Sequence, residues 1–196
     1  MIYGLPAFDA SNEHWNMPVE FRPEYVASKY EIAKRFRPRR ICEIGVFSGI
    51  AAKCFLAASP EAEYVGIDNM CDEREMVNSP QAVANAMRDL LDMRFKATIL
   101  VQDSQTLSEL PDPHYDFIHV DGNHSRAGAA HDVKLAWNAL TDDGHIIVDN
   151  GHDMGVATGV FDALFDLRYG KELIHWEYHN PLIGNIVISK QPLVWR

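Results

Sequence analysis

The sequence predicts an α/β protein built on an open, mostly parallel sheet with helices on both faces. Three observations carry that prediction. Short apolar runs of strand length recur along the chain and alternate with segments in which apolar residues return every three or four positions. Those runs are apolar nearly throughout, as in strands covered on both faces. Gly, Asp and Asn collect just after the runs end, where an open parallel sheet forms its ligand crevice.

The elements follow in order. Residues 1–22, interrupted by Pro6 and Pro18, read as an N-terminal arm, and 23–196 as one domain. Pro23 and Glu24 open a helix that carries Val26, Tyr30, Ala33 and Phe36 and closes at Pro38. Residues 40–46 form a strand, 49–59 a helix stopped by Pro60, and 64–68 a second strand. Ser79 and Pro80 suit an N-cap and a first-turn proline, ahead of a helix with Val83, Met87, Leu90 and Leu91 on one face. Residues 97–101 and 117–120 are the third and fourth strands. Ser125 caps a helix reaching Leu140, and 146–148 is the fifth strand. The next helix carries Val160, Phe161, Leu164, Phe165 and Leu167, with Gly170 at its C-terminal cap. The strands 172–178 and Asn185–Ser189 flank the turn-rich Asn180-Pro181-Leu182-Ile183-Gly184, so they pair antiparallel. The sum is a seven-stranded sheet whose last strand is antiparallel.

Composition narrows the function. The chain has 196 residues, 47% hydrophobic and 23% charged, the profile of an ordinary globular domain. Its net charge of −10 argues against a nucleic-acid partner, which needs clustered cations. The basic run Arg35, Arg37, Arg39 and Arg40 fits a solvated helix end. Cys42, Cys54 and Cys71 lack metal or redox spacing, and the first two read as buried thiols of a reducing compartment. No basic leader or membrane-length apolar run is present, so a cytoplasmic location away from membranes is expected.

The chemistry sits at the strand ends. In Glu43-Ile44-Gly45-Val46-Phe47-Ser48-Gly49, the glycines let the backbone turn sharply and approach a ligand at the next helix N-terminus. Phe47 stands where a dinucleotide fingerprint needs small residues, which disfavours NAD. A tight turn without a ligand is the alternative. Asp68, ending the second strand, can accept from both hydroxyls of a ribose, or be a solvated loop carboxylate. Asp103 and Ser104 can read an adenine edge, or serve as ordinary turn and cap residues. Asp121, Asp149 and Asn150 offer hard oxygen ligands for Mg²⁺, Mn²⁺ or Ca²⁺, or simply satisfy turns. His124, three residues after Asp121, suits a general base, or is a solvated residue at a helix start. His152 and Asp153 could brace the oxygen set from behind.

Taken together, these residues resemble the class I S-adenosylmethionine-dependent methyltransferases. They are most similar to the cation-dependent O-methyltransferases of catechol and caffeoyl-CoA type, and to metal-dependent sugar O-methyltransferases. The likeness rests on the 43–49 turn, on Asp121 with Asp149-Asn150, and on Asp121-Gly122-Asn123-His124-Ser125 with downstream Asp132. It implies a Rossmann-like methyltransferase fold and methyl transfer to a hydroxyl of a small molecule such as a vicinal diol, catechol or sugar. Glu43, Gly45, Phe47, Ser48, Gly49, Asp68, Asp103, Ser104, Gln105 and Asp121 would then hold S-adenosylmethionine. Asp121, Asp149 and Asn150 would hold Mg²⁺, and His124 would replace the lysine base of the catechol enzymes. Two departures stand out: Ala51 replaces a cofactor-binding hydroxyl residue, and the insertion loop of the caffeoyl-CoA enzymes is missing. A homodimer is a further expectation, since the arm or a second subunit would have to cover the acceptor. The rivals are a metal-independent enzyme of the same class and a non-catalytic domain that keeps the fold.

Overall fold

The computed structural model describes residues 23–71, 79–170, 173–179 and 184–193. The expected arm, and 180–183 of the expected C-terminal turn, lie outside the described residues. The element order is α1 (Pro23–Phe36), β1 (Arg40–Ile44), α2 (Ile50–Ala58), β2 (Glu63–Asp68), α3 (Ser79–Asp92) and β3 (Lys96–Val101), then a 3-10 turn (Ser104–Thr106). β4 (Tyr115–Val120), α4 (Arg126–Ala139), β5 (Leu140–Val148), α5 (Met154–Tyr169), β6 (His175–His179) and β7 (Asn185–Ser189) follow.

One 7-stranded sheet runs β3-β2-β1-β4-β5-β7-β6. β1 to β5 pair in parallel and the last strand, β7, is antiparallel, as the sequence predicts; β7 lies between β5 and β6. The chain winds outward from β1 to β3, then returns to β4 on the other side. Between β1 and β4 the winding reverses, and a crevice opens beyond their C-terminal ends.

Alternate strand residues face opposite layers. Ile41, Phe117, Ile147 and Val187 pack with Ile32, Ala33, Phe55, Leu56 and Leu90 of α1, α2 and α3. Cys42, Ile44, Ile118, Val120, Ile146 and Val148 pack with Val133, Ala136, Val160 and Ala163 of α4 and α5. Phe55 is fully buried, its ring centroid 5.0 Å from that of Phe117; enclosing one such side chain is worth roughly 1.5–3 kcal/mol.

Two strand boundaries differ from the expectation for identifiable reasons. β1 stops at Ile44 because Gly45, at φ 85, leaves the extended region. β5 starts at Leu140, well before 146, because Leu140 pairs with Tyr115 across a register shift. The polar Thr141-Asp142-Asp143-Gly144 stretch hides that start from an apolar pattern. The basic run is structural where its contacts are seen: the Arg39 and Arg40 backbone N–H groups donate to Asp116, and the Arg40 guanidinium pairs with Asp112. Cys42 and Cys54 are buried and Cys71 is exposed. Among the described residues, no helix is long and apolar enough to cross a membrane.

Candidate active site

The 45–49 turn forms one wall of the crevice. Gly45, Phe47 and Gly49 all have positive φ, at 85, 45 and 68. Both glycines are required by neighbours. A Cβ on Gly45 would collide with the Asp121 carbonyl oxygen, and one on Gly49 would come within 2.6 Å of Ala86 Cβ. Gly45 thus lets the β1 turn lie directly against the β4 turn, bringing the expected cofactor and acceptor segments together. Asp68 clasps the same turn: its Oδ2 accepts from Val46 N and Phe47 N, each at 2.9 Å, and its Oδ1 from Met70 N at 2.7 Å. Ser48 lies part-exposed at the turn, whereas Ala51 is buried in the core.

The third strand leads into the 3-10 turn. Asp103 is its N-cap, accepting from Gln105 N at 3.0 Å, so this side chain takes the cap role. Gln105 Nε2 donates to Asp132 Oδ1 at 2.8 Å, and His131 Nε2 lies 3.0 Å from the Ser104 carbonyl oxygen. These contacts dock the turn on α4. Asp132 Oδ2 is buried with no partner among the described residues, beside Gly122. Burial pushes the Asp132 carboxyl up to about 6, against the pull of Ser104 and the Asn123 backbone.

Above the β4 and β5 ends, three expected residues converge. Asp121 Oδ1 lies 3.1 Å from His124 Nε2 and accepts from Asn150 Nδ2 at 3.2 Å. His124 is about a third exposed, at 35%. Ser125 caps α4 by accepting from Gly128 N, which fixes His124 just before the helix. Asn150 Nδ2 also lies 3.3 Å from His124 Nε2, so Asp121, His124 and Asn150 form one hydrogen-bonded cluster. Asn150 has φ 52, a left-handed position that Asn tolerates. Burial and the nearby Asp149 raise the Asp121 carboxyl above its ordinary range. His152 is exposed, and Asp153 caps α5 by accepting from Gly155 N.

Glu43 and Asp149 turn the other way, under the crevice toward α1. Glu43 and His119 are register partners on β1 and β4. Glu43 is 1% exposed; its Oε2 accepts from the Tyr64 hydroxyl, and its Oε1 lies 2.8 Å from His119 Nδ1. It therefore supports the turn from below, and its carboxylate is not presented at the crevice. Burial raises Glu43 to about 8, despite the Tyr64 bond. Asp149 is 2% exposed, and its Oδ2 lies 3.0 Å from Lys29 Nζ of α1. Burial opposes its ionisation, but Lys29, His119 and a bond from Tyr25 outweigh it and hold Asp149 below its ordinary value. Lys29 has 0% exposure, and its ammonium also donates to His119 Nε2 and Asn185 Oδ1, both at 2.9 Å.

The sequence reading missed Lys29, Tyr25, Tyr64, His119 and Asn185. A usable signal was there: Tyr25, Lys29 and Ile32 follow the i, i+4, i+7 spacing of the buried face of α1.

A divalent ion can be tested against these groups. His119, Asp121 and Asp149 place one ligand atom each within 4.8 Å of one another. His119 Nε2 and Asp149 Oδ2 are 4.0 Å apart, with the Lys29 ammonium hydrogen-bonded to both. Asp121 and Asn150 face the crevice, whereas Asp149 is committed to Lys29. The expected oxygen triad does not fit a metal as one set, because a cation already neutralises one member.

Comparison with known proteins agrees with this fold. A family model described as a methyltransferase domain matches residues 42–151, from within β1 to just past β5. The structure is similar to a Podospora anserina methyltransferase bound to S-adenosylhomocysteine, with a TM-score of 0.61 and 19% identity over 87% of this chain and 77% of that one. It is similar to a Bacillus cereus O-methyltransferase, also with S-adenosylhomocysteine, at 0.59 and 16% over 94% and 83%. A third similar structure is the Streptomyces achromogenes O-methyltransferase of tomaymycin synthesis, at 0.58 and 16% over 83% and 78%. No curated protein matches the sequence.

Proposed function

The chain belongs to the methyltransferase-domain family, and from that premise we propose that it moves a methyl group from S-adenosylmethionine to a hydroxyl oxygen of a small molecule. The observation that carries this reading is the contact of two turns. Gly45 brings the 45–49 turn against Asp121, so a cofactor on the first would lie beside the base at His124. The cofactor residues of this reading are Gly45, Phe47, Ser48, Gly49, Asp68, Ser104, Gln105 and Asp121. The cofactor's fit has support: three residues of the turn have positive φ, and an Asp132 oxygen buried without a partner among the described residues lies beside Gly122.

S-adenosylmethionine would supply an electrophilic sulfonium methyl. This chain's residues do the rest. Asp121 orients His124 through Nε2, and the His124 imidazole takes the acceptor's hydroxyl proton as the new oxygen–methyl bond forms and the carbon–sulfur bond breaks. The products are a methyl ether, S-adenosylhomocysteine and a proton on His124. The carboxylate partner stabilises the imidazolium, and a positioned base of this kind contributes roughly 10²–10⁴-fold. Asn150 holds Asp121 in place from the β5 side.

The motif also suggests a second reading, in which Asp121, Asp149 and Asn150 would hold a divalent ion that would supply Lewis-acid activation of the acceptor hydroxyl. The approach of the Asp121 and Asp149 ligand atoms to within 4.8 Å of each other favours it; the Lys29–Asp149 pair weighs against it. Calorimetric titration with S-adenosylhomocysteine, followed by a radiolabelled methyl-transfer screen over catechols, sugars and phenols, tests the proposal. Saturable binding with methyl ether formation is expected. Absence of binding together with no transfer to any hydroxyl compound would overturn it.

A further inference from the structure

Lys29 is the least expected group in the molecule. A fully buried lysine is rare and persists only when every proton is bound. Its three N–H donors have three acceptors, His119 Nε2, Asn185 Oδ1 and Asp149 Oδ2, at 2.9, 2.9 and 3.0 Å. Asn185 is itself held, donating from Nδ2 to Ser28 Oγ at 3.1 Å. His119 accepts from Lys29, so its Nδ1–H points to Glu43. His119 Nε2 and Asp149 Oδ2 are a pair of metal-ligand type 4.0 Å apart, and the ammonium nitrogen bridges them.

We propose that Lys29 is the resident cation of this site, filling the seat between His119 and Asp149 and positioning the Asp121–His124 pair without a divalent metal. The inference rests on the methyltransferase reading for the meaning of that pair. The positioning path is continuous. Lys29 fixes Asp149; Asp149 Oδ1 accepts from Asn150 N at 2.9 Å; Asn150 Nδ2 donates to Asp121 Oδ1 at 3.2 Å; Asp121 holds His124. A divalent ion on Asp149 would lie a few ångströms from the ammonium, and like charges at that range repel strongly where water is excluded. Lys29 touches neither the reacting atoms nor the crevice, so it is a positioning residue.

The test reads metal binding directly. The full chain, stripped with EDTA and dialysed, is titrated with Mn²⁺ while electron paramagnetic resonance counts the free ion. The wild type, Asp149→Asn, Lys29→Met and the Lys29→Met/Asp149→Asn double variant are compared. The wild type should take up no stoichiometric Mn²⁺. Lys29→Met opens the seat and should bind one Mn²⁺ per chain at least about 100-fold more tightly, and the double variant should lose it again. If Lys29→Met folds only when Mn²⁺ is present, the exchange of one cation for another is demonstrated by that dependence. One Mn²⁺ per wild-type chain, lost on Asp149→Asn, would overturn the inference. So would a folded Lys29→Met that binds none. Should Lys29→Met fail to fold under either condition, the wild-type isotherm decides alone. S-adenosylhomocysteine calorimetry on the same wild-type sample keeps the two readings apart. Failure there counts against methyl transfer and leaves the metal result standing.

Discussion

Asp68 was expected to contact a cofactor ribose, and the structure gives it a second task whose loss can be measured. Its carboxylate accepts three backbone N–H groups, from Val46, Phe47 and Met70 at 2.9, 2.9 and 2.7 Å, and the residue is 8% exposed. Asp68→Ala removes all three hydrogen bonds and leaves the 45–49 turn without its clasp. Hydrogen bonds to charged groups are worth about 1.5–3 kcal/mol each, and water entering the vacated space recovers part of that. A net loss of about 3 kcal/mol follows, which for a domain of this size lowers the melting midpoint by about 6–12 °C. Asp68→Asn keeps the shape and one carbonyl acceptor, and should lose about half as much. Thermal unfolding and S-adenosylhomocysteine calorimetry on both variants are the assays. Affinity should fall in the same order as stability, since the turn that would bind the cofactor is the turn that loosens. An Asp68→Ala protein melting within about 1 °C of wild type would refute the clasp, whatever happened to affinity.

Three further outcomes follow from the same geometry. His124→Ala should lower turnover roughly 10²–10⁴-fold with S-adenosylhomocysteine affinity unchanged; a variant that keeps the wild-type rate would remove the residue from the mechanism. Gly45→Ala, at φ 85 and against the Asp121 carbonyl, should destabilise by about 3 kcal/mol or more, read as a lowered denaturant midpoint; a midpoint equal to wild type would show that the two turns are not in contact. Burial holds Glu43 near 8 against an ordinary value of 4.5, so across that window the native state keeps a proton that the unfolded chain releases. Stability should therefore fall as pH rises from about 4.5 to 8, by up to about 1.4 kcal/mol per pH unit, and Glu43→Gln should flatten the slope; equal slopes in urea titrations of the two proteins would contradict this.

The architecture was legible because its punctuation is local. Prolines at 38 and 60 stop helices, Ser125 caps α4, and the strands β1 to β4 each carry a short apolar segment between turn signals. The start of β5 was not legible, since Thr141-Asp142-Asp143-Gly144 reads as a turn until Tyr115 pairs with Leu140 across the register shift. At the site, Asp121, Asp149 and Asn150 are legible as strand-end residues and His124 follows Asp121 by three positions; the structure brings Asp121, His124 and Asn150 into contact and turns Asp149 toward Lys29. Lys29 was missed for a physical reason. A lysine scores as solvent-facing on any hydropathy pattern, and α1 was read on Val26, Tyr30, Ala33 and Phe36, whereas its buried face also takes in Tyr25, Ser28, Lys29 and Ile32. Only the partners make that burial tolerable, and they come from β4, β5 and β7, remote in sequence.

Those partners show why a polar layer lies under the crevice at all. Glu43, His119 and Asp149 project from β1, β4 and the end of β5 toward α1, the side on which Ile41, Phe117 and Ile147 make an apolar core. Apolar residues at all three positions would pack as well, since replacing a buried ion pair by hydrophobic groups is often neutral or stabilising. What apolar residues would not do is fix orientation. Tyr64 reaches Glu43 across Gly66, where a Cβ would come within 3.0 Å of the Tyr64 hydroxyl, and Glu43 sits two residues before the Gly45 turn. Asp149 adjoins Asn150, which holds Asp121 and through it His124. The buried chain from Tyr64 through Glu43, His119 and Lys29 to Asp149 thus ties the cofactor-side turn to the base-side turn by directional bonds. Breaking one link by removing a single charged partner leaves the other buried and unpaired, at a cost of about 3–5 kcal/mol. Positional accuracy at the crevice is accordingly coupled to the stability of the whole sheet, and variants of this layer should lose both together.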